Sequence, residues 1–485
     1  MSTQFCESCG KEHSPHNFQI GQKVRCACGH IFIANQEKTN LVADTIADVA
    51  GLEHAEGFSW KNLFAEVFRS HSEEELDRHW SAGSVGNIPT IDKVDASWPR
   101  PWVFVRVFLF TLLAFGLLYF GWTQWENPNL IPGLIVLGSF AVPFSLVIFF
   151  FEMNARKNVS FSLAIKAFFV GGTLSLITSL FMFQVTTSLG LGWLGASVAG
   201  IAEEIGKILA VIIVVRSARY GYILNGLLFG AAVGAGFAAF ESAGYALTAL
   251  LSGVIANSIV NAETIMKTLA GAEAGQIPEL LAAIMGAIMS KSIAPMFDSI
   301  LTRAWLTGFA GHVLWTGMAA GALWHDKGSR HFAWSMLLDY RFLRIFVIAV
   351  ACHMVWNSSW TPIILTQYDK YILLGIIGWG IIFAMIQSGL NQLRREQENY
   401  QAIFADGPHL STRSEESAEA GLDTVIQQQA VYVKLLAAPR VTPRGNDHLN
   451  IQDKIDASAE REIHRETPTF SQRAWKKYYK KDQQD

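Results

Sequence analysis

The stretch YILNGLLFGAAVGAGFAAFESAGYALTALL (residues 222–251) decides the fold class of this chain. It runs for 30 residues with a single charged side chain, Glu241. The hydrocarbon core of a bilayer is ~30 Å thick, and an α-helix needs about 20 apolar residues to cross it. The stretch is therefore long enough to be a transmembrane helix.

Seven further stretches meet the same length test, which predicts an all-α polytopic membrane protein with about eight transmembrane helices. The segment 252–303 is only half apolar, and we expect a non-cytoplasmic loop whose helices dip into the bilayer. The alternative is a ninth span at 279–300. The seven stretches are residues 102–124, 130–152, 162–185, 191–215, 304–325, 342–363 and 371–392.

The composition agrees with this class. Hydrophobic residues make up 51% of the chain and charged residues 16%, against about 25% in a soluble domain. The net charge of -3 comes without a concentrated basic stripe, which excludes a nucleic-acid partner. The first residues, MSTQFCESCG, have no basic or apolar signal region, so we expect the first transmembrane helix to direct insertion.

Basic residues predict the orientation, because short cytoplasmic loops collect Lys and Arg. With eight spans, the basic residues that follow the even-numbered spans all lie on one side, whereas the opposite short loops hold little beyond Lys370. Both termini are then cytoplasmic. The basic residues are Arg156, Lys157, Arg216, Arg219, Lys327, Arg330, Arg341, Arg344, Arg394 and Arg395.

The chain divides into four regions. Residues 1–35 resemble a zinc ribbon, and 36–101 form a linker with an amphipathic helix at 58–80 that docks on the membrane block or on a partner. The membrane domain is 102–392. Residues 393–485 form a polar cytoplasmic tail whose basic-aromatic end lies on anionic lipid headgroups or stays solvated. The ribbon and the tail are where we expect a cytoplasmic partner.

Four clustered cysteines predict a structural zinc site. Cys6 and Cys9 have C-x-x-C spacing, and Cys26 and Cys28 have C-x-C spacing. Two thiolate pairs can close a tetrahedral zinc site and fold a segment too short for its own core. The single residue between the second pair leaves open whether His30 replaces one thiolate. A closed site of this kind has no catalytic role.

Ionisable residues in four of the predicted spans indicate a functional site, because such residues are costly inside a bilayer. Residues three or four apart share a helix face. All four groups lie ~12–18 Å from the non-cytoplasmic ends of their predicted spans, so we expect them to converge. The residues are Glu203, Glu204 and Lys207, then Glu241, then His312, and finally His353 with Asn357.

Two chemistries fit this cluster. A carboxylate beside neutral imidazoles in a dry pocket can act as a general base on water, and His353 with Asn357 can stabilise an oxyanion. Alternatively, Glu204, Glu241, His312 and His353 ligate a divalent metal that activates the water. The sequence contains neither H-E-x-x-H nor G-x-S-x-G. The choice between metal-assisted and metal-free hydrolysis stays open.

Four strings in these spans resemble the PrsW family of intramembrane proteases, within the superfamily of type II CAAX prenyl endopeptidases and bacteriocin-immunity proteins. The resemblance covers residues 190–390 and includes every residue of the cluster. It implies a bacterial cytoplasmic membrane protease that cleaves a membrane-protein substrate. The strings are AEEIGK (202–207), GAAVGAGFAAFESAGYAL (230–247), RAWLTGFAGHVLWTG (303–317) and HMVWNS (353–358).

Carried over by position, the resemblance assigns catalytic roles to Glu203, Glu204, Lys207, Glu241, His312, His353 and Asn357. The family is described as metalloproteases, whereas its prenyl-endopeptidase relatives are thought to need no obligatory metal ligands. A non-catalytic binding or immunity protein on the same scaffold is the main alternative. A transporter is less favoured, because no internal repeat is seen.

Overall fold

The computed structural model describes residues 41–405 apart from 56–57, 85, 216, 218 and 360–365, together with short pieces between residues 4 and 33. The region from residue 41 onward is mostly helical. Its α-helices are α1 (Leu41–Ala50), α2 (Trp60–Leu63), α3 (Glu73–Trp80), α4 (Val103–Trp125), α5 (Ile131–Met153), α6 (Phe161–Lys166), α7 (Gly172–Ser188), α8 (Val198–Val214), α9 (Ile223–Val260), α10 (Ala262–Ala270), α11 (Ile277–Ser299), α12 (Thr307–Ala310), α13 (His312–Lys327), α14 (Tyr340–Asn357) and α15 (Gln367–Ala405).

Within the described residues, six helical segments are long and apolar enough to cross a membrane. The prediction of a mostly helical multi-pass membrane protein is therefore confirmed, whereas the exact count of eight is not. The helices at 191–215 and 342–363 fall outside the six, since α8 has only 17 residues and α14 has polar residues at both ends. The six are Val103–Trp125, Pro128–Met153, Phe161–Ser188, Ile223–Val260, Ile277–Lys327 and Tyr368–Ala402.

The segment expected to be a loop, 252–303, is more helical than its composition indicated. Helix α9 continues to Val260 and is followed by α10 and α11. The 279–300 stretch is thus part of the long segment Ile277–Lys327 rather than a separate span. Helix α11 exposes the charges of Lys291 and Asp298 on its surface, which explains why the sequence is only half apolar there.

The long segment Ile277–Lys327 is not a regular helix. Residues Ile300–Leu306 form a π-helix between α11 and α12. Gly311 then adopts φ -132° and ψ -117°, which ends α12 and makes His312 the first residue of α13. The break places His312, one of the predicted site residues, at the N-terminus of α13, where the backbone N–H groups carry partial positive charge.

Glycines bring α9 and α13 into close contact. A Cβ atom at Gly230 would lie 2.3 Å from the carbonyl oxygen of Thr316, and one at Gly234 would lie 2.4 Å from that of His312. Small residues four apart allow helix backbones to approach in this way. This packing fixes the start of α13 against the middle of α9.

The region predicted as one amphipathic helix, 58–80, forms two helices, α2 and α3. The guanidinium of Arg106 donates hydrogen bonds to the backbone carbonyls of Val67 and Arg69, which a continuous helix would use internally. Ser72 and Glu75 then form a capping box that starts α3. Tertiary contacts therefore override the local helical pattern.

This N-terminal region docks on the membrane domain. The Phe58 ring stacks on Phe383 with centroids 4.5 Å apart, and Trp98 Nε1 donates to Gln387 Oε1 at 2.8 Å. Glu53 accepts a hydrogen bond from Asn391 on the same helix, α15. We expected this region to dock either on the membrane block or on a partner. The structure shows it in contact with the chain's own membrane domain.

The described pieces of the N-terminal segment form two antiparallel strand pairs: β1 (Gln4–Phe5) with β2 (Glu12–His13), and β3 (Lys23–Arg25) with β4 (Ile31–Ile33). Cys26 is buried and Cys28 is exposed. Cys6, Cys9 and His30 lie outside the described residues, as does the tail from residue 406. The zinc ribbon and the cytoplasmic tail therefore stay predictions.

Glu152, near the C-terminal end of α5, caps the N-terminus of α4. Its Oε1 accepts hydrogen bonds from the backbone N–H groups of Trp102 at 2.8 Å and Val103 at 2.9 Å, and its Oε2 accepts one from Phe104 at 2.9 Å. Burial lowers the pKa of the neighbouring His79 to about 4, and Lys157 acts in the same direction. That imidazole is neutral at pH 7, so the backbone N–H groups are the partners of Glu152.

Replacing this cap is expected to weaken the fold. Glu152→Ala leaves three partly buried N–H groups without their acceptor, which costs about 3 kcal/mol of unfolding free energy. Unfolding by SDS titration in mixed micelles measures the change. The exposed Glu398 on α15 provides the control Glu398→Ala, which should stay close to the parent protein. Equal stability of the two variants would show that the hydrogen bonds of Glu152 do not stabilise the fold.

Candidate active site

Six of the seven predicted site residues lie together in the structure. Glu203, Glu204 and Lys207 come from α8, and Glu241 from α9. His312 is the first residue of α13, and His353 lies four residues before the end of α14. Nearly all of these side chains are buried: residue exposure is 6% for Glu203, 1% for Glu204, 0% for Lys207, 4% for His312 and 1% for His353.

Glu203, His312 and His353 lie closer to helix ends than the sequence predicted, whereas Glu241 lies in the middle of α9. Glu203 is five residues after the start of α8, about 7 Å along the axis, and His353 is four residues before the end of α14. The predicted spans were longer because the 3₁₀ segment Leu191–Ser197 and the break at Gly311 are apolar in sequence. The site is thus buried near one end of the short helices.

Lys207 is the central cation of the cluster. Its Nζ donates to Glu204 Oε1 at 2.5 Å and contacts His312 Nδ1 at 2.9 Å. Glu203 Oε2 lies 4.0 Å away. Because an ammonium group can only donate, His312 Nδ1 accepts this hydrogen bond, and the imidazole proton is on Nε2.

His353 is oriented by Glu204. Its Nδ1 is 2.8 Å from Glu204 Oε1, so the imidazole donates from Nδ1 and keeps a lone pair on Nε2. That Nε2 atom lies 3.6 Å from Glu203 Oε2. The indole of Trp315 stacks on the same imidazole at a centroid distance of 4.4 Å. Ring stacking and the carboxylate together hold His353 in one orientation.

The two adjacent glutamates therefore have different surroundings. Glu204 uses Oε1 for both Lys207 and His353. Glu203 makes no side-chain hydrogen bond within the described part of the chain, and its buried Oε2 faces His353 at ion-pair distance. A carboxylate without such a bond can take a proton from water, whereas Glu204 already bonds two neighbours through Oε1, and only its buried Oε2 has no hydrogen-bond partner in the described structure.

Glu241 forms the outer edge of the cluster. Its Oε2 lies 3.2 Å from His312 Nε2, and its Oε1 lies 3.8 Å from Arg303 Nη1. Its side chain is 14% exposed, more than that of Glu203 or Glu204. Glu241 therefore connects the buried cluster to the protein surface.

Asn357 is not joined to the other six residues. It is the half-buried last residue of α14, and the described structure gives it no hydrogen bond to the cluster. Its position one turn after His353 agrees with the predicted shared face. Its role stays a prediction.

Three of the buried residues have a donor set suited to a metal ion. One ligand atom each from Glu203, His312 and His353 lies within 4.8 Å of the others. Two imidazoles and a carboxylate are a ligand set that zinc uses in catalytic sites. The hydrogen bond from His353 to Glu204 is the outer-shell arrangement that fixes a metal-binding imidazole. The residues present therefore fit a metal.

This set differs from the predicted ligands in its carboxylate. The sequence assigned Glu204 and Glu241, whereas the structure groups Glu203 with the two histidines. Glu204 Oε1 is already shared by Lys207 and His353, whereas its Oε2 has no hydrogen-bond partner in the described structure, so the assignment of Glu204 and Glu241 as ligands stays a prediction. Adjacent glutamates on one helix cannot be told apart by spacing alone.

Two residues next to the site were not singled out from the sequence. Arg303 lies within ion-pair distance of Glu241, and Trp315 stacks on His353. Arg303 belongs to the quoted string RAWLTGFAGHVLWTG, but it read as a loop charge at the end of a half-apolar segment. Trp315 follows His312 by three residues, so its shared helix face was the available signal.

Comparison with known families places this site in a class. Residues 154–386, just under half of the chain, match the PrsW family of intramembrane metalloproteases. The matched range includes every residue of the cluster. No curated protein and no solved structure gives a match to the chain. The family match and the apolar helices together indicate a multi-pass integral membrane protein, and residues 154–386 are similar to the PrsW family.

Proposed function

We propose that the chain is an intramembrane endopeptidase in which Glu203 activates water to hydrolyse a peptide bond of a membrane-embedded or membrane-proximal substrate. The observation that carries this proposal is the buried Glu203 carboxylate, which has no side-chain hydrogen bond in the described structure and faces the oriented imidazole of His353. A second carboxylate, Glu204, does the orienting. In this proposal Glu203 is the base that activates water, and Glu204 orients His353.

In this reaction Glu203 takes a proton from water as the water oxygen attacks the peptide carbonyl carbon. The tetrahedral intermediate then collapses, the carbon–nitrogen bond breaks, and the proton passes from Glu203 to the leaving amine. Neutral His353 directs its Nε2 lone pair toward Glu203 and can hold the water by accepting its second hydrogen.

Charge on the carbonyl oxygen needs hydrogen-bond donors in the transition state. His353 has its only N–H committed to Glu204, so it is a weak candidate for this task. The amide of Asn357, one turn away, keeps the proposed role of oxyanion donor. Lys207 holds Glu204 as an anion and contacts His312, which keeps the imidazoles in their assigned tautomers.

A divalent metal is the second form of the same proposal, with Glu203, His312 and His353 as its ligands. Such an ion would polarise the carbonyl and lower the pKa of a bound water. Binding through His312 Nε2 requires its proton on Nδ1, where Lys207 Nζ lies 2.9 Å away. Metal binding therefore requires Lys207 to give up that hydrogen bond, whereas metal-free hydrolysis leaves it in place.

We propose further that the protein lies in the bacterial cytoplasmic membrane with both termini in the cytoplasm. A structural zinc bound by Cys6, Cys9, Cys26 and Cys28 would then lie in the cytoplasm, where the ribbon or the tail can contact a partner. The substrate is a membrane protein that reaches the site through the bilayer. These proposals rest on the charge distribution of the loops and on cysteine spacing.

One experiment tests the function and its metal requirement together. The full chain is reconstituted in liposomes with a tagged single-span reporter, and products are identified by mass spectrometry before and after dialysis against a chelator. A Cys6→Ser/Cys9→Ser background removes ribbon zinc, and we expect it to lose about one equivalent while cleavage is retained. If dialysis abolishes cleavage and added zinc restores it, the site is a metalloprotease.

Cleavage that survives dialysis of the Cys6→Ser/Cys9→Ser background identifies metal-free hydrolysis. Elemental analysis of the same samples shows whether a second equivalent of zinc is present and whether His312→Ala removes it. Absence of cleavage for a panel of reporters with differing spans would contradict the proposed hydrolysis. It would favour a non-catalytic binding protein on the same scaffold.

A further inference from the structure

Arg303 occupies an unusual position beside the site. It lies in the π-helical segment Ile300–Leu306, between α11 and α12. Short π-helical segments are rare and frequently mark functional sites. The Arg303 side chain is 38% exposed, whereas Glu241 beside it is 14% exposed and His312 behind it is 5% exposed. Exposure thus falls from Arg303 toward the buried cluster, and we call the more exposed edge formed by Arg303 and Glu241 the entrance to the site.

The guanidinium of Arg303 is held by its face. Its Cζ lies 3.4 Å from the centroid of the Tyr245 ring, a close cation–π contact. Its Nη1 is 3.8 Å from Glu241 Oε1, beyond the usual range of a hydrogen bond. Within the described residues the guanidinium makes no hydrogen bond. The ring therefore supports the centre of the guanidinium, and the N–H groups of Arg303 are available to a ligand.

A guanidinium presented in this way matches one ligand chemistry best. Its parallel N–H groups bind a carboxylate in a bidentate arrangement, which a lysine cannot reproduce. Because the proposed substrate is a peptide, its carboxylates are Asp or Glu side chains and a free C-terminus. Glu241 Oε1 lies 3.8 Å from one nitrogen of the guanidinium. The other N–H groups of Arg303 can therefore bind a second carboxylate.

We propose that Arg303 is a specificity-determining residue that binds a substrate carboxylate at the entrance to the site, with Tyr245 as its platform. The inference rests on the proposed peptidase function and deepens it by defining the substrate class. A peptide that carries a carboxylate next to its membrane segment would be held beside Glu241, with its adjoining peptide bonds directed toward Glu203. Substrates without this carboxylate would bind less tightly.

Binding tests this proposal without requiring turnover. The full chain carrying Glu203→Gln is placed in nanodiscs and titrated with fluorescein-labelled single-span peptides that have Asp or Asn at one end of the apolar run. A second pair has a free or an amidated C-terminus, which separates side-chain from terminal carboxylates. We expect the carboxylate-bearing member of at least one pair to bind about tenfold more tightly than its neutral partner.

The same preference should disappear in Arg303→Gln and reverse toward Lys-bearing peptides in Arg303→Glu. Arg330→Gln is the matched control: Arg330 is 54% exposed and pairs with Asp326, and this variant should keep the preference. Arg303→Lys keeps the positive charge and should retain part of the carboxylate preference. Partial retention in this variant shows that the loss in Arg303→Gln does not result from misfolding. Equal binding within both pairs, or a preference that survives Arg303→Gln, would overturn the proposal.

Failure of the peptidase function is distinguishable from failure of this inference. A carboxylate preference that depends on Arg303, combined with no cleavage by the chain that retains Glu203, would contradict hydrolysis but support the binding role. Cleavage with no carboxylate preference would support hydrolysis but contradict the binding role of Arg303.

Discussion

Glu203→Gln is expected to lower the cleavage rate about a thousandfold or more while the fold stays intact. Glutamine has nearly the shape of glutamate but cannot accept a proton from water. In the described structure Glu203 makes no side-chain hydrogen bond, so the substitution breaks no hydrogen bond that stabilises the fold. Initial rates of reporter cleavage in liposomes measure the effect, and SDS titration checks the stability.

The matched control for this variant is Glu263→Gln. Glu263 is also a helical glutamate, but its side chain is 81% exposed and pairs with Lys267 on α10. This control should change neither the rate nor the stability. Cleavage by Glu203→Gln at the rate of the control would rule out Glu203 as the general base.

Lys207→Met is expected to destabilise the protein by about 3–5 kcal/mol, because it leaves buried carboxylates without their cation. Lys207 is 0% exposed, and its Nζ is 2.5 Å from Glu204 Oε1. The double variant Glu204→Gln/Lys207→Met removes the charges of both partners and should regain most of that loss. It should not regain cleavage, because His353 then lacks the carboxylate that orients it.

An exposed pair with similar spacing provides the control for this cycle. Lys267 Nζ lies 2.6 Å from Glu263 Oε1 with side chains 74% and 81% exposed, and Lys267→Met should change stability by less than about 0.5 kcal/mol. SDS titration of all variants gives the coupling energy. If the double variant is as unstable as Lys207→Met alone, the stability does not depend on neutralising Glu204.

The convergence of the site was predictable because it depends on short spacings within single helices. Glu204 and Lys207 are three residues apart and form the expected contact on one helix face. The buried histidines and carboxylates from four segments meet because each is costly alone in an apolar core. Which of two adjacent glutamates faces the imidazole Nε2 was not predictable, since it depends on the rotation of α8 against α14.

Other features depend on contacts that a sequence pattern does not contain. The break at Gly311 lies within an apolar stretch, so periodicity alone extended the helix through it. The division of 58–80 into two helices follows from Arg106, which is distant in sequence from the carbonyls it binds. Arg303 was hidden for a similar reason, because its segment read as a loop.

The position of Lys207 on the same helix as Glu204 has a consequence for how the chain is made. During synthesis α8 is made long before its other partners exist, because His312 lies 105 residues after Lys207, and His353 lies 149 residues after Glu204. Since Lys207 is three residues from Glu204, α8 carries a counter-ion of its own from the moment it is made. Glu203 lies 4.0 Å from the same ammonium group but makes no side-chain hydrogen bond within α8, so the residue proposed for chemistry is the glutamate of this helix that depends more on the later arrival of His353.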